Sequence, residues 1–296
     1  MPATWFSNLA GAVRWLLALW VGAAAGCASA DALNLRRGVT EISRSIYALH
    51  MTVFWICAVT GAVVFGVMFY SMINHRASRV RTPATFHENP RLEVLMTVVP
   101  FAILVAMAVP ASLALIDMYD AGGEDLSIEV HAHRWKWEYI YLDEDHNQTL
   151  RYFSNLATPA QQIANVSAKS ENYLLEVDEP LVIPVNRKVR FRITSKDVIH
   201  AFWVPDFGIK QDAVPGIFND LWTIVDATGV YRGQCAELCG KDHAFMPVVV
   251  RVVSQVEYED WYERRLLQFL DRQALGNEVA PGDVTRALEV SKALVR

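Results

Sequence analysis

The sequence predicts a membrane-anchored all-β protein, in which a two-helix transmembrane hairpin is followed by an antiparallel β-sandwich. Three observations carry this. Hydrophobic residues make up 53% of the 296 residues and charged residues only 20%, and the mean hydropathy is +0.18, too apolar for an ordinary soluble globule. Two stretches of membrane-spanning length, Met51–Ile73 and Val94–Ile116, hold no Asp, Glu, Lys or Arg. Beyond Gly122-Gly123 the pattern changes to short β-branched and aromatic runs separated by turns, the signature of a sandwich.

Each element follows in order. Residues 1–30 read as a secretory signal peptide: Arg14 precedes the uncharged run Trp15–Ala30, which ends in the small-residue site Ala28-Ser29-Ala30. Ala24-Ala25-Gly26-Cys27 offers a second end, with Cys27 lipidated. Residues 31–50 are expected outside the membrane, 51–73 as the first span, 74–92 as a cytoplasmic loop and 93–117 as the second span. Each uncharged stretch would be about 34 Å long as a helix, enough to cross a bilayer with some tilt. The loop carries Arg76, Arg79, Arg81 and Arg91 against Glu88, in keeping with cytoplasmic placement. Cys57 reads as inert packing.

Residues 118–272 are expected to form the exported domain and 273–296 a tail. Strands are predicted at 126–142, 174–185, 189–194, 199–204, 220–226, 229–232 and 246–253. Ser254 with Glu257 forms a capping box that opens a helix running to about Arg272, and 284–295 is a possible last helix. Residues 1–116 hold 8 basic and 4 acidic residues, residues 117–296 hold 19 and 28. The exported part is therefore at −9, which argues against nucleic-acid binding and for a basic partner. Candidate contact carboxylates are Asp143-Glu144-Asp145, Asp178-Glu179, Asp197, Asp206 and Asp212.

The chemistry is concentrated in Cys235-Ala236-Glu237-Leu238-Cys239-Gly240-Lys241-Asp242-His243-Ala244-Phe245-Met246, with His200 upstream. A Cys235–Cys239 disulfide suits an exported protein but leaves His243 and Met246 unexplained. Zinc could take two Cys and two His but has little use for a thioether. Copper uses all of these donors. A mononuclear blue site needs only one thiolate, so the second thiolate points to two copper ions bridged by both sulfurs, with one imidazole on each. His131, His133, His75, His87 and His146 read as surface or loop histidines.

The run Cys-x3-Cys-x3-His-x2-Met, Asp197-Val198-Ile199-His200, Lys210-Gln211-Asp212-Ala213-Val214-Pro215-Gly216, Trp135-Lys136-Trp137-Glu138-Tyr139 and the preceding hairpin together resemble subunit II of cytochrome c oxidase. That resemblance implies a cupredoxin-like Greek-key β-sandwich carrying the dinuclear copper centre CuA. It implies that Cys235 and Cys239 bridge the coppers, that His200 and His243 are terminal ligands, and that Met246 and the Glu237 main-chain carbonyl are the weak axial pair. The Glu237 carboxylate would reach a Mg²⁺ shared with subunit I. Trp135 would receive the electron from cytochrome c, and Lys136 stands where the family often has an aromatic. Glu93 would mark the mouth of a proton path, against the plainer reading of a favourable helix N-terminal charge. Subunits I and III, cytochrome c and membrane lipid are the implied partners. A bacterial inner membrane with the C-terminal domain in the periplasm is the implied location.

The implied activity is electron delivery to haem in subunit I for O2 reduction coupled to proton pumping. A membrane-anchored copper-binding or copper-transfer protein is the alternative. Quinol-oxidase subunit II lacks the copper ligands present here. Nitrous-oxide reductase shares the motif but needs a propeller domain that this length is not expected to hold. No Cys-x-x-Cys-His is present for a covalent haem.

Overall fold

The structure, a computed structural model, describes residues 34–76, 78–79 and 87–275. The signal peptide with Cys27, most of the cytoplasmic loop and the tail from 276, including the helix expected at 284–295, lie outside the described residues. The described residues from Arg37 onward belong to one compact unit.

Two long helices come first, α1 (Glu41–Asn74) and α2 (Pro90–Tyr119). Both are long and apolar enough to cross a membrane, and their apolar side chains point outward rather than into a core. The first begins ten residues before the uncharged run, because Thr40 and Ser43 close a reciprocal cap over its first turn. Residues 41–50, expected as a separate exported segment, therefore continue the helix as a polar extension. In α2, Asn89 accepts from Leu92 N and Pro90 occupies the first turn, where a missing N–H costs nothing. Pro100 and Pro110 sit inside it without ending it.

The sandwich has ten strands: β1 (Leu126–His133), β2 (Lys136–Leu142), β3 (Gln148–Ser154), β4 (Leu181–Pro184), β5 (Lys188–Ser195), β6 (His200–Val204), β7 (Ile209–Ala213), β8 (Asn219–Ile224), β9 (Gly229–Cys235) and β10 (Pro247–Val253). One sheet has the order β3-β2-β1-β5-β8 and the other β4-β10-β9-β6-β7. The sheets are mixed rather than antiparallel throughout: β1 runs parallel to β5, and β4 parallel to β10. A short helix α3 (Ala160–Ile163) interrupts the β3–β4 connection, and α4 (Gln255–Leu275) follows β10, opened by the expected Ser254–Glu257 box.

Inward side chains of both sheets make one core, in which Ile128, Val130, Trp137, Tyr139, Tyr141, Phe191 and Phe202 are fully buried. Burying an apolar side chain of this size is worth about 1.5–3 kcal/mol. Tyr141 also joins the sheets, donating from Oη to Val182 O at 2.7 Å and accepting from Val182 N at 3.1 Å. The hairpin is fastened at one end of this domain. Val39 N donates to Asp206 O at 2.9 Å, Asp226 N to Val39 O at 3.1 Å and Thr40 Oγ1 to Phe207 O at 2.8 Å. Trp222 Nε1 donates to Asp117 O at 3.1 Å, which ties α2 to β8. Gly208, at φ +70°, passes so close that a Cβ there would lie 2.8 Å from Ser43 Cα.

Candidate metal centre

The site is built at the end of the sandwich remote from the hairpin. His200 is the first residue of β6 and Cys235 the last of β9, and the register Phe202↔Cys235 puts the two strands side by side. Gly233 allows that approach, since a Cβ there would fall 1.8 Å from Trp203 O. Cys235 N donates to Met246 O at 2.9 Å, which closes the loop carrying the remaining donors. Within it, Gly240 at φ +119° turns the chain and His243–Phe245 forms a 3-10 turn.

Four predicted donors converge. The two sulfurs stand 3.8 Å apart. Cys235 Sγ is 3.8 Å from His200 Nδ1, and Cys239 Sγ is 3.4 Å from His243 Nδ1. Each thiol thus has its own imidazole. Glu237 O lies 3.3 Å from Cys235 Sγ, and Met246 is buried beside the cluster. The sulfur separation is nearly twice a disulfide bond of about 2.05 Å, and both thiols are free. Among the described residues, His200, Cys235 and Cys239 are the one group of three His, Cys, Asp or Glu whose ligand atoms all lie within 4.8 Å of one another. Soft sulfur with imidazole is a donor set for copper or zinc.

Electrostatics divides the thiols. Burial pushes the Cys235 thiol up, but hydrogen bonds from His200 and from the backbone at Ala201 and Glu237 outweigh it and bring it down to about 7. For Cys239, burial and the negative charge on Cys235 act together and push it up to about 12. The pair gives its first proton readily and holds the second.

Asp197 fixes the His200 ring. Its Oδ1 accepts from His200 Nε2 at 2.9 Å and from Val198 N at 2.6 Å, and its Oδ2 from Arg134 N at 2.7 Å. Burial opposes its ionisation, but these donors hold the carboxyl below its ordinary range. Asp197 is therefore spent on orientation, not left free as a contact carboxylate. Its position three residues before His200 was the available signal.

Trp135 is half-buried, not a strand residue. The stretch predicted as one strand over 126–142 is a hairpin that reverses at Arg134-Trp135. The indole Nε1 donates to Cys239 O at 3.2 Å, and its ring would lie 3.2 Å from a Cβ on Gly240. The Glu237 side chain is exposed. Glu93 is far from this cluster, in the first turn of α2, where its Oε1 accepts from Asn89 N at 3.4 Å as part of the cap. Of the histidines expected at the surface, His131 is 5% exposed on β1 and takes part in a buried network with Glu129 and Glu138. A histidine in an outward strand position gave no sign of that cover.

Residues 126–253 match the family described as cytochrome c oxidase subunit II, periplasmic domain, and residues 28–115 match cytochrome c oxidase subunit II, transmembrane domain. A protein named "Probable cytochrome c oxidase subunit 2" from Rickettsia felis is 39% identical over 223 residues, which cover 75% of this chain and 68% of that one. The cytochrome c oxidase subunit 2 of Cereibacter sphaeroides is 34% identical over 234 residues, 76% of this chain and 77% of its own. The chain belongs to the cytochrome c oxidase subunit II family. A crystal structure of the periplasmic domain of subunit II of cytochrome oxidase from Bradyrhizobium japonicum is 40% identical and covers 50% of this chain and 99% of that one, at a TM-score of 0.44. As a family member, the chain is a membrane-anchored subunit of a haem–copper oxidase, an oxidoreductase complex, with a transmembrane hairpin and a periplasmic cupredoxin-like domain.

Proposed function

We propose that this chain is the electron-accepting subunit of the oxidase, taking electrons one at a time from cytochrome c for haem in subunit I, where O2 is reduced to water and protons are pumped. The observation that carries the reading is the pair of thiols 3.8 Å apart, each with its own imidazole nitrogen. When bound, two copper ions would supply one-electron exchange with the charge spread over both metals. Cys235 and Cys239 would hold the pair, with His200, His243, Met246 and the Glu237 carbonyl as the further ligands. Asp197 keeps the His200 ring in one orientation, so that little has to rearrange when the charge changes. The Trp137 and Phe202 rings, 5.3 Å apart behind His200, keep water out. The Trp135 indole, bonded to the Cys239 carbonyl, links the surface to a ligand by one hydrogen bond. Glu237, exposed beside the cluster, is the residue for a Mg²⁺ shared with subunit I, and Glu93 for the mouth of a proton path. The domain faces the periplasm of a bacterial inner membrane, with subunits I and III as neighbours.

Copper content and electron paramagnetic resonance of the purified oxidase test this. Two coppers per chain sharing one unpaired electron, reduced rapidly by cytochrome c, are expected. One copper per chain, or two that cytochrome c does not reduce, would leave a copper-binding or copper-transfer protein instead. Trp135→Ala is expected to slow reduction while leaving the copper spectrum unchanged.

A further inference from the structure

Trp135 sits on a turn that its own residues do not specify. The pair His133↔Lys136 closes the β1–β2 hairpin and leaves Arg134-Trp135 as a two-residue loop. Such loops favour Gly or Asn, which accept the backbone conformations required, and neither is present. The place of the indole is therefore held by contacts from outside the turn. Two reach it from the loops around the thiols: Asp197 Oδ2 accepts from Arg134 N at 2.7 Å, and Cys239 O accepts from Trp135 Nε1 at 3.2 Å.

The others come from the opposite face of the sheet. Trp137 and Tyr139 point into the core, so Lys136 and Glu138 point away from it. Glu138 is fully buried all the same. One of its oxygens accepts from His133 Nε2 at 2.9 Å and lies 3.5 Å from His131 Nδ1, and Arg151 of β3 pairs with the other. Phe153 faces Glu138 across the β2–β3 ladder and takes both residues that close the turn. The His133 ring meets it edge-on at 5.5 Å, and the Lys136 ammonium lies 4.0 Å over its centroid. Both residues that flank the loop are thus tied to β3, His133 through Glu138 and Phe153, Lys136 through Phe153.

We infer that Glu138, assisted by Phe153, is the positioning residue for Trp135: it fixes the pair that closes the turn, and so the reach of the indole to the Cys239 carbonyl. This rests on the proposed role of Trp135 as the point of electron entry and adds what holds it there. Glu138 spends its oxygens on His131, His133 and Arg151, so its loss moves the indole and leaves the thiols and their imidazoles in place. A reacting group displaced by about 1 Å can cost a rate about 100-fold, which is why a splint two residues from the turn is felt at the site.

The test uses the whole oxidase, with reduction by cytochrome c followed by stopped flow and the copper spectrum recorded on the same samples. Glu138→Gln keeps the side-chain shape and removes the charge. It is expected to slow reduction at least about threefold with the copper spectrum unchanged. In oxidase that already carries Trp135→Ala it is expected to slow reduction no further, because two residues that act through one group do not add. Phe153→Leu is expected to behave in the same way, and it carries the test if Glu138→Gln fails to assemble. Thr149→Val removes the hydrogen bond from Tyr262 near the other end of β3, and is expected to destabilise the domain without slowing reduction. A normal rate in Glu138→Gln beside a slow Trp135→Ala overturns the inference. So does an equal slowing in the Trp135→Ala background or in Thr149→Val. Loss of the earlier reading looks different: Trp135→Ala itself would be reduced at the normal rate, and the inference would fall with it.

Discussion

Two histidine–carboxylate clusters lie close together in this domain and are put to different uses. In one, Asp197 accepts from His200 Nε2 at 2.9 Å, and the other ring nitrogen faces the Cys235 sulfur at 3.8 Å. In the other, Glu138 accepts from His133 Nε2 at 2.9 Å and stands 3.5 Å from His131 Nδ1, while its second oxygen is paired with Arg151. The first carboxylate aims an imidazole at two thiols. The second is closed off by a guanidinium, whose fixed positive charge repels a metal ion. The titrations diverge accordingly. For His200, burial lowers the imidazole, but Cys235 and Asp197 outweigh it and raise it. For His131, burial and Lys196 prevail over Glu129 and Glu138 and lower it. A histidine beside a carboxylate becomes a candidate ligand only where the remaining nitrogen meets more donors, not where the carboxylate is already neutralised.

The strongest way to break this contrast is at sulfur. Cys235→Ser or Cys239→Ser is expected to abolish the dinuclear copper signal and oxidase turnover together; surviving turnover with cytochrome c would remove the bridging assignment. Next, Asp197→Asn should weaken copper binding by about 10–100-fold, as loss of an orienting partner does, whereas Glu138→Gln should leave it unchanged when copper affinity is measured by competition with a chelator. Equal losses in both variants would erase the distinction between the clusters. The smallest effect is on folding. Burial works against ionised Glu138, but His133 and Arg151 more than compensate and hold its carboxyl below the ordinary range. A depressed carboxyl stabilises the fold above the unfolded value of about 4.3, and that contribution fades as pH falls toward the folded value. Glu138→Gln is expected to lower the unfolding free energy by about 1–3 kcal/mol at neutral pH and to flatten the acid side of the melting-temperature profile. An unchanged profile would mean that Glu138 contributes no net charge stabilisation.

The clustering of the residues was legible in the sequence because two Cys, a His and a Met crowd one short loop, so 235–246 could be read without any fold. The helices were legible because long uncharged runs have few other uses. The errors came where three-dimensional context overrides local pattern. Trp135, Trp137, Tyr139 and Tyr141 keep period two through the hairpin turn, and Arg134-Trp135 contains no Gly, Pro or Asn to mark it. The strand expected from Leu174 begins only at Leu181, since Leu174 itself sits at φ +62°. The strands β3 and β7 were missed: Gln148–Ser154 alternates weakly, and Ile209–Ala213 reads as a polar edge. Net charge is a sum without a map: it gives the sign for the whole exported part and says nothing of where the charges lie.

The seam between α1 and the sandwich has a consequence for the whole assembly. Val39 interlaces main chain with main chain at Asp206 and Asp226, the Thr40 hydroxyl donates to Phe207 O, and Gly208 lets Ser43 settle directly onto the backbone. A head swinging on a loose tether would sample many heights above the bilayer. A head welded to its stalk holds its two thiols at one altitude, so the gap between them and whatever is embedded beneath is set when the chain folds.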